Sequence, residues 1–569
     1  MVNLVLDLAL IIGLATVFAI IARVVKQPLI IAYLVAGLLV GPLFFNLLNS
    51  TALFEGFAHI GLALLLFIAG LHLDFRALKS FWKVSFVAGV GQVLLTSSIG
   101  FFIARYFGYS NIVSLYIAGA LAFSSTVVIS LLSKNSLDSE TIQGRISTGI
   151  LIFQDLMVAV VLMLLPLIGK GTGFSAMDVF IQLSEGLLLI MAFFLFAYFA
   201  LPSLLRVVSK NQEILLLFSM SWALFAASIF DYFNFSLEVG ALIAGMTLAS
   251  SKFSFEIGSK IKPLRDFFVV TFFVFFGSLV SSFNYDMGIK LVVFSAFVLI
   301  GNPLIIMFFM RLFGFKKRTN FLTGVTMAQV SEFSLILAFV GFSLGVLPAE
   351  VLSLIILIGL VTMALSSYAI YYSNFIFSKL SPLLGIFDGK KRQLGNSSKS
   401  KQYDVILFGY NRLGYNILKS LKESKKKYLV VDYDPVTVSK LSKKRSNCLY
   451  GDANDLDLLS DMKLNKAKVV ISTIPELETN ELILRSINNP EVVFIPTSHR
   501  IADTKKLYDS GANYVIMPHF LGGEYISHML STSDLKKNRI DKEGQKHRKD
   551  IFERFHLGHD HPNKDSYGK

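Results

Sequence analysis

Hydrophobic residues fall into two regimes along the chain. Up to about Ser381, apolar runs of roughly 20 residues follow one another with short polar breaks, the length a helix needs to cross a hydrocarbon core about 30 Å thick. About thirteen such spans are legible, near residues 3–23, 28–48, 53–73, 83–105, 111–133, 144–168, 178–206, 213–231, 236–251, 265–282, 289–312, 320–343 and 350–379. Beyond Gln402 the runs shorten: DVILFG, YLVVD, NCLYG, VVIST, VVFIP and YVIMP alternate with amphipathic stretches, the pattern of βαβ units building a parallel sheet. Between the regimes, DGKKRQLGNSSKSKQ (Asp388 to Gln402) is basic, aperiodic and Gly/Ser-containing, as a linker is. The predicted fold class is a polytopic α-helical membrane domain (1–385), a linker (386–402) and a Rossmann-like α/β domain (403–530). A charged tail (531–569) follows, expected to be a solvated helix or disordered.

Composition agrees with this division. The chain is 54% hydrophobic, against about 45–50% for soluble domains. The net charge of +14 is explained by topology, because cytoplasmic loops collect Lys and Arg, so no nucleic-acid partner is expected. Loops after odd-numbered spans hold Arg23, Lys26, Arg145, Lys260, Arg265 and Lys317, among others, whereas the opposite loops hold little beyond Arg105, Lys170 and Lys290. This bias places the N-terminus outside and the C-terminal domain in the cytoplasm, with the plasma (inner) membrane as the expected location. The first residues, MVNLVLDLALIIG, have no basic n-region, so they read as a first span and not a signal peptide. A single cysteine, Cys448, excludes a disulfide framework and a Cys-based metal site; its setting suits a buried strand. His547, His556, His559 and His561 cluster in the tail without the repeating spacing of a metal site.

Charges inside spans are informative because each costs roughly 2.5–3.5 kcal/mol at a helix centre. Asp155 lies mid-span in GILIFQDLMVAVVLMLLP and Glu332 mid-span in GVTMAQVSEFSLILAFVG, with Glu185 nearer a span end. A partly desolvated carboxylate is a place where a proton and a metal cation compete for the same oxygens, the minimum requirement for exchange. Gln154 points about 100° away around the helix and is placed to orient rather than to add charge. Ser124, Ser125 and Thr126 interrupt one span, and Gln329, Ser331 and Glu332 interrupt another seven spans later. Paired interruptions point to an inverted repeat whose broken helices meet at the midplane, where freed carbonyls and half-helix ends can coordinate ions.

The segments GLHLDF (70–75), AFSSTVVISLL (122–132), GILIFQDLMV (149–158), LEVGALIAGMTLASS (237–251), PLRDFFVVTFFVFFGSLV (263–280) and AQVSEFSLIL (328–337) resemble the Kef-type monovalent cation:proton antiporters. The resemblance implies thirteen helices, a core that moves against a dimerising domain, two crossing broken helices, a homodimer, and Asp155 as the exchanged-ion carboxylate. It also implies K+, ahead of Na+, as the cation exchanged for H+. The chain departs from the family at His72, where an acid is common. It departs again in VLIGNPLIIMFFM, where some relatives carry a basic residue and this chain has Gly301, Asn302 and Pro303. With no buried basic partner for Asp155, one-for-one electroneutral exchange is expected.

In the C-terminal domain, Gly409, Asn411, Arg412 and Gly414 form a degraded dinucleotide fingerprint after a strand, with Asp432 about twenty residues on, at the end of the second strand. Asn411 at the second glycine position makes a mononucleotide as good a ligand as NAD(H). With Gly451, Asp452 and VVISTIPE, the segment is similar to the regulator-of-K+-conductance N-terminal domain, which implies Gly409, Gly414, Asp432 and Asp452 as nucleotide contacts. A dehydrogenase lacks support, since no substrate domain accompanies the fingerprint. A ligand-gated K+ channel is the alternative class, but a TVGYG-like filter is absent.

Overall fold

The computed structural model describes residues 4–47, 51–71, 81–125, 142–169, 176–233, 235–249, 251–389, 402–410, 413–433, 435–451, 453, 456–533 and 537–556. They form two compact units, Met1–Lys390 and Lys391–Lys569. In the first unit the helices are α1 (Leu4–Val24), α2 (Leu29–Val40), α3 (Thr51–Leu71), α4 (Trp82–Tyr106), α5 (Asn111–Ala122), α6 (Ile142–Gly169), α7 (Ala176–Val208) and α8 (Gln212–Tyr232). They continue as α9 (Leu237–Ala249), α10 (Ser254–Ser278), α11 (Tyr285–Ala296), α12 (Asn302–Leu312), α13 (Lys317–Val325), α14 (Glu332–Ser343), α15 (Ala349–Tyr371) and α16 (Ser373–Leu380).

Among the described residues, seven helices are long and apolar enough to cross a membrane, and Leu29–Val40, Gly56–Leu71, Asn111–Ala122, Leu237–Ala249 and Glu332–Ser343 are shorter apolar helices. Together with α10, whose first half carries Lys260, Lys262 and Arg265, they correspond one for one to the expected spans. The lengths differ from expectation where helices end early. Instead of running to residue 48, α2 stops at Val40, and Gly41 continues in extended conformation. The expected span 320–343 is two helices, α13 and α14, separated by a non-helical stretch. An outward face rich in apolar side chains, such as Phe180, Leu187, Met191, Phe196 and Phe199 on α7, is what a lipid-facing helix presents.

The helices pack in two groups. In one, α3 lies against α9 and α10, and α2 against α10. Glycine pairs make these contacts close. A Cβ added at Gly245 would sit 2.0 Å from Phe67 O and one at Gly70 2.3 Å from Leu242 O, and Gly37 and Gly277 interlock α2 with α10 in the same way. Small residues at such crossings let backbones touch where lipid offers no hydrophobic drive to associate. In the other group α4 packs on α5 and α6, α12 on α4 and α13, and α14 on α5. Aromatic rings join the groups: Phe339 of α14 lies 5.2 Å from Phe276 and 6.0 Å from Phe275, both on α10, measured between ring centroids.

The second unit holds five parallel strands, β1 (Val405–Phe408), β2 (Tyr428–Asp432), β3 (Cys448–Tyr450), β4 (Val469–Ser472) and β5 (Val493–Ile495), in the order β3-β2-β1-β4-β5. Every residue of β1 and β2 is buried, as suits strands covered on both faces, and Cys448 is fully buried in β3. The sixth apolar run, YVIMP, does not form a strand. It makes a single parallel bridge, Thr497 to Ile516, because Pro496 lacks an N–H and Pro518 already starts the next helix. Helices α17 (Leu413–Glu423), α18 (Pro435–Lys443), α19 (Leu456–Asp461), α20 (Leu477–Arg485), α21 (Ile501–Asp509) and α22 (Pro518–Ser533) connect or follow the strands. Of the two states expected for the charged tail, Lys537–His556 takes the solvated helix, α23.

The interlocked glycines make a clear demand on folding. Gly245→Val, which forces a side chain into the Phe67 carbonyl, is expected to destabilise the α3/α9 crossing by about 3 kcal/mol, the upper range for overpacking. A fall in monodisperse protein and in melting temperature on detergent size-exclusion measures it.

Candidate functional site

The site begins with two interrupted helices. After Ala122, α5 gives way to Phe123 in extended conformation (φ −95°, ψ 139°). After α13, the chain is irregular to Ser331, whose hydroxyl caps α14 by accepting from Phe333 N. Ser, Thr and Gln side chains can replace helical hydrogen bonds, and here they do so reciprocally. Ser331 N donates to Phe123 O at 2.9 Å. Ser124 Oγ donates to Met327 O at 3.1 Å, and Gln329 Nε2 to Ser125 O at 3.0 Å. The two non-helical segments therefore lie against each other and satisfy each other's backbone.

The flanking helices brace both segments. On the α14 side, Ser366 Oγ donates to Gln329 Oε1 at 2.7 Å and Val330 N to Thr362 Oγ1 at 3.3 Å. Ser147 and Thr326 share a hydroxyl hydrogen bond of 3.0 Å. On the α5 side the bracing is a chain of amides. Gln154 Oε1 accepts from Ser124 N at 3.1 Å, and its Nε2 donates to Gln92 Oε1. Gln92 Nε2 donates in turn to Ala122 O at 3.1 Å and to Thr96 Oγ1 at 3.0 Å. Thr96 donates to Asn302 Oδ1 at 2.8 Å, and Asn302 Nδ2 donates to Leu121 O at 3.2 Å. All four side chains are buried. The orphan carbonyls at the end of a half-helix would otherwise go unmet in an apolar bundle.

Beside this crossing, Asp155 of α6 is 8% exposed and Glu332, the first residue of α14, 2%. The two carboxylates are close enough to interact electrostatically. Among the described residues, no hydrogen bond or ion pair reaches the Asp155 carboxylate, and no Lys or Arg neutralises it. Ser125 Oγ is likewise buried with no hydrogen-bond partner among the described residues. Glu332 stands at the positive end of α14, where an acid is favoured.

Of the residues singled out in the sequence, Gln154, Asp155, Ser124, Ser125, Gln329 and Glu332 thus converge on the crossing and its bracing helices. Thr126 and His72 lie outside the described residues, and Glu185 is exposed on α7. Freed carbonyls were expected at the crossing, but those of Leu121, Ala122, Phe123, Ser125 and Met327 all accept protein donors. Gln92 and Thr96 are not singled out by the sequence, and Asn302 stands out there only as the place of a missing basic residue, not as a partner of the crossing. Their only signal was a polar i, i+4 pair within VAGVGQVLLTSSIG and an Asn beside a proline, both ordinary in membrane helices.

In the soluble unit, β1 lies between β2 and β4, so the crevice at its C-terminal end is the topological switch point. Gly409 there has φ +83°, and a Cβ on it would lie 2.3 Å from Thr473 Oγ1. A Cβ on Gly414 would lie 2.2 Å from Gly409 O, so both positions require glycine. Tyr410 N donates to Asp432 Oδ2 at 2.8 Å, which ties the turn to the end of β2. Asn411, Arg412 and Asp452 lie outside the described residues.

A helical membrane unit built around crossed, interrupted helices with a buried carboxylate, joined to a doubly wound nucleotide-type domain, defines a class of ion exchanger. Two family models match, "Sodium/hydrogen exchanger, transmembrane" over residues 11–370 and the TrkA-N domain over residues 405–518. The chain belongs to the sodium/hydrogen exchanger family and carries a TrkA-N domain; it is a multi-pass cation/proton antiporter of the Kef type. It is 27% identical over 527 residues to YbaL of Escherichia coli (strain K12), a cation/proton antiporter by name, with 89% of this chain and 93% of that protein covered. It is 25% identical over 511 residues to the chloroplastic K(+) efflux antiporter 1 of Arabidopsis thaliana, covering 86% of this chain and 42% of that one. The sodium proton antiporter MjNhaP1 of Methanocaldococcus jannaschii aligns over 66% of this chain and 98% of its own, with 19% identity and a TM-score of 0.49.

Gly409→Val places a branched side chain at positive φ against Thr473. It is expected to cost the soluble unit about 3 kcal/mol, seen as a lower melting temperature of that unit in the full-length protein.

Proposed function

We propose that this antiporter exchanges K+, ahead of Na+, for H+ across the plasma (inner) membrane, with Asp155 as the carboxylate that holds the two ions in turn. The observation that carries the reading is a buried carboxylate beside the crossing that no protein donor or cation satisfies among the described residues. Such a group binds a proton or a metal cation more favourably than it remains bare. Glu332, in electrostatic contact with it, adds to the attraction for a cation. Ser125 adds a hydroxyl oxygen. Gln154, Gln329 and Ser124 hold the crossing in shape, and Thr126, next after Ser125 in the sequence, is a further candidate. Potassium is favoured by the relatives named for K+ efflux.

The C-terminal domain is proposed to lie in the cytoplasm, on the side that the Lys and Arg of the odd-numbered loops select. There it regulates exchange by binding a nucleotide, NAD(H) or an adenine nucleotide, at the Gly409–Gly414 turn. The helix starting at Leu413 presents its N–H groups to a phosphate, and Asp432 stands at the ribose position. The family resemblance supports a homodimer.

In reconstituted vesicles, Asp155→Asn is expected to abolish K+-driven proton movement. Unchanged flux would remove Asp155 from the mechanism. Because Asp155 has no basic partner among the described residues, exchange is expected to be one-for-one, so a membrane potential imposed by a gradient of a permeant anion such as thiocyanate should leave the rate unaltered. An Asp155-dependent voltage generated during exchange would overturn that stoichiometry.

A further inference from the structure

We infer that Thr96, with Gln92 and Asn302, is a positioning residue for cation binding: a neutral hydrogen-bonded clamp that holds the broken end of α5 in place beside Asp155. This deepens the proposed exchange at Asp155 and rests on that reading of the crossing.

The clamp spans three helices, α4, α5 and α12. Thr96 is its hub, because one hydroxyl accepts from Gln92 Nε2 and donates to Asn302 Oδ1. From that hub, Gln92 and Asn302 reach two successive carbonyls at the end of α5, those of Ala122 and Leu121. Gln92 also accepts from Gln154, the residue beside Asp155 and the one that receives Ser124 N. The connection therefore runs unbroken from α12 through α4 to the residue adjoining the carboxylate, with each of these side chains at most 1% exposed.

Two features mark this as more than routine packing. Residues Phe297–Gly301, immediately before Asn302, form a π-helical turn. Such a turn widens the helix, costs hydrogen-bond geometry and recurs at functional sites; here it precedes the residue that caps Leu121. The clamp also contains no formal charge. A basic side chain at this depth would compete with the transported cation for the carboxylates, whereas amides and a hydroxyl fix the backbone without doing so. By occupying the Leu121 and Ala122 carbonyls, the clamp leaves cation binding to carboxylate and hydroxyl oxygens, whose spacing depends on where α5 ends.

The test uses the full-length protein in proteoliposomes, with proton movement followed over a series of K+ concentrations. Thr96→Val keeps the side-chain shape and removes the hub. It is expected to raise the half-saturating K+ concentration about tenfold, the equivalent of one or two lost buried hydrogen bonds, with a smaller change in maximal rate. Thr96→Ser, which restores the hydroxyl, is expected to return it to the wild-type value. Asn302→Ala, which removes the far end of the clamp, is expected to shift it in the same direction. An unchanged half-saturating concentration in folded Thr96→Val and Asn302→Ala overturns the inference. So does a loss of maximal rate alone, or failure of both variants to fold, since either assigns the clamp to stability only. Exchange that persists in Asp155→Asn while Thr96→Val still shifts K+ saturation would instead sink the carboxylate reading and leave the clamp standing.

Discussion

Every backbone N–H and C=O inside an apolar bundle needs a partner, because no water is at hand to provide one. In this protein that constraint is concentrated where α5 and the α13–α14 segment break. Interrupting a helix leaves orphan groups at both ends, so the break is tolerated only where other parts of the protein supply donors and acceptors. Here the two breaks supply one another, through Ser331 to Phe123, Ser124 to Met327 and Gln329 to Ser125. Four surrounding helices supply further partners through Gln154, Gln92, Asn302 and Thr362. Asp155 stands apart because its carboxylate is not met in this way among the described residues.

The two helix groups are held by different kinds of contact. The α2, α3, α9 and α10 group is held by backbone contact at glycines, a geometry that leaves little freedom to slide. The group that contains the breaks is held by directional hydrogen bonds among polar side chains. Between them lie aromatic rings, Phe339 against Phe275 and Phe276.

The soluble unit obeys a different constraint. Its strands are buried on both faces, so their apolar runs are continuous, and the glycine turn after β1 is enforced by Thr473 and by the Gly409 carbonyl against Gly414. Asp432 holds that turn through Tyr410 N, so the acid at the end of β2 also shapes the loop at the switch point.

Much of this was legible in one dimension. Run length separated membrane helices from strands, because lipid thickness and sheet width set different lengths. The scarcity of charge in spans made Asp155 and Glu332 visible, since each must offset a desolvation cost. Paired polar interruptions announced the breaks. Other features were decided only by the tertiary structure. YVIMP reads as a strand, yet prolines on its neighbours and at its own end limit it to one bridge. The carbonyls expected to be free at the crossing are occupied, because the donors come from residues distant in the chain. Gln92 and Thr96 are individually ordinary polar residues, Asn302 is notable in sequence only for not being basic, and nothing in their local spacing brings α4 and α12 together. Local patterns determine which segments enter the membrane and where they break; which side chains meet at the break depends on helix packing, which sequence periodicity does not encode.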